Sequence, residues 1–220
     1  WSVIFICSII FLNYIFKQEY IKEQIFLSFG MIPAILFGYS ELSNSLKVVP
    51  AFISIVTSMF LHGGWMHLIG NMTYLYIFGE NVEEYLDKTK FIIFYLLTGI
   101  FAALSQALLD TSSTIPMIGA SGAIAGVLGA YFYLFPKAKV LVLIPFIIFF
   151  TIRVPANILL LFWFFYQFIN INDEQSNIAW IAHIGGFVFG LIYVITTREK
   201  KFESKKGKSV FLKNRKGPWD

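Results

Sequence analysis

Residues 119–136 have the sequence GASGAIAGVLGAYFYLFP, a stretch without a single charged side chain. A helix needs about 20 apolar residues, with a range of roughly 17–25, to cross the hydrocarbon core of a bilayer. Backbone groups in lipid must satisfy their own hydrogen bonds, and a helix does so within one segment. The same composition continues on both sides: 57% of the 220 residues are hydrophobic and 14% are charged, against about 25% charged residues in ordinary soluble domains. The chain is therefore predicted to be a membrane protein.

Six apolar segments emerge from this composition, and we expect each of them to form one transmembrane helix. They are residues 1–16, 66–82, 91–109, 119–136, 154–171 and 178–197. The predicted fold class is thus an all-α membrane protein, with one helical domain over 1–197. The chain begins with Trp1 rather than Met, so we expect the first helix to be truncated. A further apolar stretch, 140–152, contains Pro145 and is expected either to lie along the membrane interface or to extend the fifth helix.

The distribution of lysine and arginine predicts the orientation, because cytoplasmic loops are enriched in these residues. Alternate connections carry Lys88, Lys90, Lys137, Lys139 and Arg153, and nine of the seventeen Lys and Arg residues lie at or after Arg198. Both termini are therefore expected in the cytoplasm, although the first loop departs from the rule with three lysines. A basic segment next to a membrane helix is attracted to anionic lipid, so 198–220 is interpreted as a cytoplasmic tail and not as a nucleic-acid-binding region.

The first loop, residues 17–65, is unusually apolar for a connection exposed to water. Gly30, Pro33, Gly38 and Pro50 interrupt regular helix within it. Because a water-facing loop would not expose such a surface, we expect this loop to be partly embedded against the helices.

Polar residues within the apolar segments are candidates for function, because they are expensive in a membrane. The three histidines of the chain, His62, His67 and His183, all lie at or inside such segments. His67 and Asn71 are four residues apart, so a helix beginning near Trp65 places both on one face. The alternative is that His67 and Asn71 are packing groups that hydrogen-bond to neighbouring helices, because such groups would have the same spacing.

Ser121 lies between Gly119 and Gly122 at the expected start of a helix. Glycines on both sides let another chain approach the hydroxyl, and a helix N-terminus presents unpaired N–H groups and partial positive charge to a developing oxyanion. The pattern differs from the G-x-S-x-G elbow of soluble hydrolases, since Ala123 replaces the last glycine. An N-cap serine, or a small-residue packing face, would also explain it.

His183 precedes Gly186 and Gly190, which form a small-xxx-small face suited to close contact between membrane helices. If that face meets the glycines after Ser121, the imidazole can reach the serine hydroxyl at the distance nucleophilic catalysis needs. A packing histidine, a proton site and a metal site are the alternatives. In the predicted topology His67, Ser121 and His183 share one depth. No carboxylate or thiolate lies there to complete a zinc site, so no metal is predicted.

Three motifs in order, HGGWMHLIGNM, GASGAIAG and AHIGGFVFG, resemble the signatures of rhomboid intramembrane proteases, with a likeness from about Ser58 to Tyr193. The resemblance implies a six-helix rhomboid bundle with a catalytic dyad and no aspartate. It implies Ser121 as nucleophile and His183 as general base, with His67 and Asn71 stabilising the oxyanion. His62, Gly119, Gly122, Gly186 and Gly190 match supporting positions of the motifs.

The implied activity is a serine endopeptidase that cleaves single-pass transmembrane proteins, without a metal or other cofactor. Its partners would be these substrates and the lipid bilayer, not nucleic acid. We expect a bacterial inner-membrane location and an active site open to the outer face. A rhomboid-like pseudoprotease that binds membrane clients is one alternative; a transporter with a histidine proton relay is another, although it should have charged partners in mid-membrane.

Two positions depart from the pattern of many rhomboid proteases. The chain has no arginine before Arg153, so a Trp-Arg pair that would anchor the first loop is missing. Ala125 stands where some relatives have an aromatic residue one turn after the serine, packed on the base. We therefore expect Tyr131, Tyr133 or Trp180 to orient His183.

Overall fold

The computed structural model describes residues 1–143, 151–171, 173 and 178–204, with side chains to residue 197. The first part contains α1 (Ser2–Tyr14), α2 (Glu19–Phe29), α3 (Pro33–Leu36), α4 (Ala51–Thr57), a 3₁₀ turn (Ser58–Phe60), α5 (Trp65–Leu86) and α6 (Lys88–Ala107). The second part contains α7 (Ser121–Leu134), β1 (Lys139–Leu143), β2 (Thr151–Pro155), α8 (Ala156–Ile169) and α9 (Trp180–Ser204). A helix lies in each of the six apolar segments, namely α1 and α5 to α9 in turn.

Helix α7 occupies the centre of the bundle. Its residues from Ala123 to Tyr131 are all buried, as expected for a helix that is apolar on every side and surrounded by other helices. It packs against α5, α6, α8 and α9, most extensively against α9. The helix that begins at Ser121 is therefore surrounded by four helices, two of which, α5 and α9, carry other candidate site residues.

The outer faces of the surrounding helices are strongly apolar. Large side chains such as Phe5, Ile93, Phe101, Phe162 and Ile192 are between 44% and 74% exposed. A water-facing surface with so many large apolar groups would be an association site, whereas a bilayer solvates them. The exposed faces therefore agree with a membrane protein.

Only some of the helices are long enough to cross a bilayer. Lys88–Ala107 and Trp180–Thr197 are long and apolar enough to cross, and Ala51–Phe60 with Trp65–Leu86, bent by 82°, would be a third if they form one broken span. Helices α1, α7 and α8 are apolar but shorter. Among the described residues, two to three spans thus satisfy the length criterion, compared with the six predicted.

The expectation of an all-α fold, and of a fifth helix starting at 154, is wrong for residues 139–143 and 151–155. These residues form an antiparallel hairpin that pairs Lys139 with Pro155 and Leu143 with Thr151. Strands β1 and β2 are rich in Val and Ile, residues that favour strands, and α8 begins after Pro155. The stretch 140–152 therefore does not extend the fifth helix in its described part. Its residues 144–150, with Pro145, lie outside the described residues, as do 205–220 of the predicted tail.

The first connection is docked on the segment that leads into α7. Met31 and Met117 exchange both backbone hydrogen bonds, at 3.1 and 2.8 Å, and Ala34 N–H donates to the carbonyl of Ser113 at 2.9 Å. Within the connection, Thr57 Oγ1 at the end of α4 donates to the carbonyl of Phe29 at the end of α2, at 2.6 Å. These backbone contacts anchor the loop in a chain that lacks the arginine of the Trp-Arg pair.

Candidate active site

Ser121 is the first residue of α7, and Ala120 is its N-cap without a side-chain capping bond. The interpretation of Ser121 as an N-cap serine is therefore wrong. The first bond of the helix runs from Ile124 N–H to the carbonyl of Ala120 at 3.0 Å. The N–H groups of the residues before Ile124 thus precede the helical ladder and point out of the helix N-terminus, as in any helix.

Glycines bring α7 and α9 into backbone contact. A Cβ added to Gly186 would lie 2.1 Å from the carbonyl oxygen of Gly122, and one on Gly190 would lie 2.0 Å from that of Gly126. Such distances are far below any real Cβ contact, so both positions require the absence of a side chain. The predicted meeting of the two small-residue faces is present in the structure.

This contact places His183 beside Ser121. Nε2 of His183 lies 2.9 Å from Oγ of Ser121, which is the distance of a hydrogen bond between a nucleophile and its base. Both residues are partly exposed, so the pair is not sealed within the core of the bundle.

The second ring nitrogen of His183 is bonded to α8. Nδ1 lies 2.8 Å from Oε1 of Gln167, while Nε2 of Gln167 donates to the carbonyl of Trp163 at 2.7 Å. The Trp163 ring is tilted by 36° to the imidazole at 5.8 Å between centroids, and Trp180 meets it edge-on at 6.2 Å. Of the three aromatic residues expected to orient His183, Trp180 does contact it. Tyr131 instead packs against Phe78 at 5.0 Å.

His67, on α5, lies on the far side of Gly119 from Ser121. The N–H of Gly63 donates to Nδ1 of His67 at 3.3 Å, which leaves the proton of a neutral imidazole on Nε2. A Cβ on Gly119 would lie 2.7 Å from that Nε2 and 3.8 Å from Oγ of Ser121. Gly119 has φ +124°, a conformation that glycine adopts readily, and its missing side chain leaves the space between His67 and Ser121 open.

Asn71 and His62 lie deeper than His67. Asn71 is 8% exposed, and its Nδ2 has no hydrogen-bond partner among the described residues. His62 is fully buried, and its ring contacts that of His67 at 5.2 Å between centroids. The backbone of His62 is tied to the hydroxyl of Tyr14 by two bonds of 2.7 Å. His62 therefore supports His67 and does not join the serine–histidine pair.

The described residues contain no group of three His, Cys, Asp or Glu side chains arranged to hold a metal ion.

Three residues at this site were not predicted from the sequence: Gln167, Trp163 and Gln106. Oε1 of Gln106 accepts hydrogen bonds from the N–H groups of Ile181 and Ala182, at 3.1 and 3.3 Å, and so caps the first turn of α9. Gln106 and Gln167 are polar residues in apolar helices, and the rule that singled out the histidines would have found both. Trp163 carries no such signal in a helix full of aromatic residues.

Residues 50–200 match the model of the Rhomboid domain family. The chain is 32% identical over 155 residues to "Rhomboid protein 1, mitochondrial" of Saccharomyces cerevisiae, covering 66% of this chain and 42% of that protein. It is 30% identical over 158 residues to "Rhomboid protease GluP" of Bacillus subtilis, covering 71% of this chain and 28% of that protein. It is 28% identical over 165 residues to "RHOMBOID-like protein 12, mitochondrial" of Arabidopsis thaliana, covering 68% of this chain and 47% of that protein.

The fold and the site therefore define a helical membrane protein, and the chain belongs to the rhomboid family. That family includes proteases, as the name of the Bacillus protein states. The chain spans less than half the length of these three relatives.

Proposed function

We propose that this protein is an intramembrane serine endopeptidase that hydrolyses peptide bonds in or near the transmembrane segments of single-pass membrane proteins. The observation that carries this proposal is the 2.9 Å contact between Nε2 of His183 and Oγ of Ser121. It occurs at the N-terminus of a central helix, on two helices brought together by glycine contacts.

In the proposed reaction, His183 Nε2 accepts the proton of Ser121 while Oγ attacks the carbonyl carbon of the substrate. The tetrahedral intermediate collapses as the C–N bond breaks, and His183 returns the proton to the leaving amine. Water then attacks the acyl-enzyme, His183 takes its proton, and Ser121 Oγ leaves the carbonyl and is reprotonated. Each half-reaction moves one proton through the same ring nitrogen.

The developing oxyanion needs donors, and we assign them to His67, Asn71 and the N–H of Ser121. His67 supports this assignment because its Nδ1 accepts from Gly63, so Nε2–H is free to donate. Asn71 offers a buried Nδ2 without a partner among the described residues. Losing one oxyanion donor typically costs about 10²–10³ in rate.

We propose that α1 and α5 to α9 form a six-span domain over 1–197, with the basic tail 198–220 and both termini in the cytoplasm of a bacterial cell. Helix α7 has 14 residues and is about 21 Å long, shorter than the roughly 30 Å hydrocarbon core. Irregular backbone at membrane depth is tolerated where protein covers it or water reaches it. The segment before Ser121 would thus let the hydroxyl lie below the outer surface yet in contact with water.

The test is cleavage of a fluorescently labelled single-pass substrate by the purified full chain in liposomes. We expect the parent protein to cut, and Ser121→Ala and His183→Ala to lose at least about 10³-fold in rate, because each removes one half of the nucleophile–base pair. Ser105→Ala serves as the matched control: it removes a serine hydroxyl that donates to the carbonyl of Phe101 one turn earlier in α6, and it should cut like the parent.

Equal cleavage by all three variants would assign the activity to a contaminant or to another nucleophile. Substrate binding without cleavage by the folded parent would support the pseudoprotease instead.

A further inference from the structure

The environment of His183 on the side away from Ser121 contains a buried amide. Gln167 is 2% exposed, and its carbonyl oxygen lies 2.8 Å from Nδ1 of His183. A serine–histidine dyad has no carboxylate in this place, and an unassisted imidazole can carry its proton on either nitrogen. The contact therefore bears on which tautomer the base adopts.

The orientation of the Gln167 amide follows from the backbone of α8. The carbonyl of Trp163 accepts at 2.7 Å from the other end of the amide, and a carbonyl can only accept. The amide NH₂ must therefore face Trp163, which turns Oε1 toward His183. A flipped amide would place two acceptors against each other at this distance.

Since Oε1 is an acceptor, Nδ1 of His183 must be the nitrogen that carries the proton. Nε2 then presents a lone pair to Oγ of Ser121, 2.9 Å away, as a general base requires. The backbone carbonyl of Trp163 thus fixes the orientation of the Gln167 amide, and that amide fixes which nitrogen of His183 carries the proton. As a result, Nε2 of His183 can accept the proton of Ser121.

We propose that Gln167 is a positioning residue that holds His183 in the Nδ1–H tautomer, in the place where serine proteases with a triad use a carboxylate. This inference rests on the proposed function of the Ser121–His183 pair. Unlike a carboxylate, the neutral amide adds no charge to stabilise an imidazolium, so its contribution is the tautomer and the orientation of the ring. The tilted Trp163 ring covers the imidazole from the same helix.

The experiment combines kinetics with ¹⁵N NMR of the histidine ring nitrogens in the full chain in liposomes, with His183→Ala assigning the His183 signals. We expect the Nδ1–H tautomer in the parent. In Gln167→Met, which keeps the approximate size of the side chain but has only a weakly accepting thioether sulfur in place of the amide, we expect that tautomer to lose its dominance. We expect kcat to fall roughly ten- to a hundredfold, as when the outer partner of a metal-ligating histidine is removed, with KM unchanged.

Two further variants separate positioning from helix stability. Gln167→Glu keeps an acceptor oxygen toward Nδ1 and, as the carboxylic acid, a donor toward the carbonyl of Trp163. It should restore the Nδ1–H tautomer and most of kcat. Asn170→Ala removes the same kind of bond from the same helix, Nδ2 to the carbonyl of Tyr166 at 2.7 Å, and should leave the tautomer and kcat at parent values.

An unchanged His183 tautomer in Gln167→Met, or equal losses in Gln167→Met and Asn170→Ala, would overturn the inference while the dependence of cleavage on Ser121 still stood. If the parent does not cleave at all, the proposed function fails, and the tautomer measurement still decides whether Gln167 positions the ring.

Discussion

The two faces of α9 are packed in different ways. Toward α7, the contacts join backbone to backbone: Gly186 and Gly190 lie against the carbonyls of Gly122 and Gly126. Toward α8, the contacts join side chain to side chain, as in the Phe164 and Phe187 rings stacked at 4.5 Å. Backbone contacts cannot repack, whereas side chains can change rotamer. The separation of Ser121 and His183 therefore depends on the glycine face toward α7, which we call the rigid face. The contacts of the His183 ring with Gln167 and Trp163 lie on the face toward α8, which we call the adaptable face.

The rigid face should give the largest effect. In Gly190→Ala the new Cβ would lie 2.0 Å from the carbonyl oxygen of Gly126, so the two helices must separate. We expect the free energy of unfolding in mixed micelles to fall by about 3 kcal/mol, the upper end of the usual cost of overpacking. We expect the cleavage rate to fall about 10²-fold, since a displacement of about 1 Å has that effect.

Gly70→Ala is the matched control, because a Cβ at Gly70 has no atom within 4 Å. Its unfolding free energy should stay unchanged or rise by up to about 1 kcal/mol, since alanine is the better helix former. Equal losses of unfolding free energy in Gly70→Ala and Gly190→Ala would show that the backbone contact between α7 and α9 does not account for the effect of Gly190→Ala.

An intermediate effect is expected at the start of α9, which Gln106 caps from α6. Gln106→Ala leaves the N–H groups of Ile181 and Ala182 without this acceptor, and losing a helix cap costs about 1 kcal/mol. Unfolding free energies should show this loss, with a smaller drop in cleavage than in Gly190→Ala. Gln106→Glu keeps an acceptor at a helix N-terminus and should recover the stability; failure to recover would point to a packing role for the amide.

The smallest effect on the free energy of unfolding is expected for an aromatic ring on the adaptable face. Trp163→Phe retains an aromatic ring beside His183 and Phe187, so we expect a loss of unfolding free energy of about 1 kcal/mol or less, the scale of one aromatic pair. Phe162→Leu, at a neighbouring position that is 74% exposed, is the control and should be neutral. A loss in Trp163→Phe as large as in Gly190→Ala would refute the comparison of the two faces.

Local patterns predicted the parts of the site that depend on one segment at a time. Uncharged runs predicted where helices lie, because burial in lipid or protein demands apolar side chains whatever the neighbours are. The glycines around Ser121 predicted an open approach to its hydroxyl, and the spacing of Gly186 and Gly190 predicted a close helix contact. In each case glycine alone meets the physical requirement, because it has no Cβ and so lets another chain or helix come close.

Contacts between distant segments were not predictable in this way. The bridge between Met31 and Met117, the cap supplied by Gln106 and the bond from Gln167 to His183 join residues whose own neighbours carry no sign of the partner. The hairpin of β1 and β2 was missed because a short apolar run has no period that separates strand from helix.

The sequence by itself determined a helical, lipid-compatible chain with the three rhomboid motifs, because hydrophobicity and the absence of side chains act locally. Only the tertiary structure decided that Ser121 and His183 meet at 2.9 Å and that an amide on α8 faces the second ring nitrogen. Those distances depend on how α7, α8 and α9 pack together, and packing is a property of surfaces that no single segment contains.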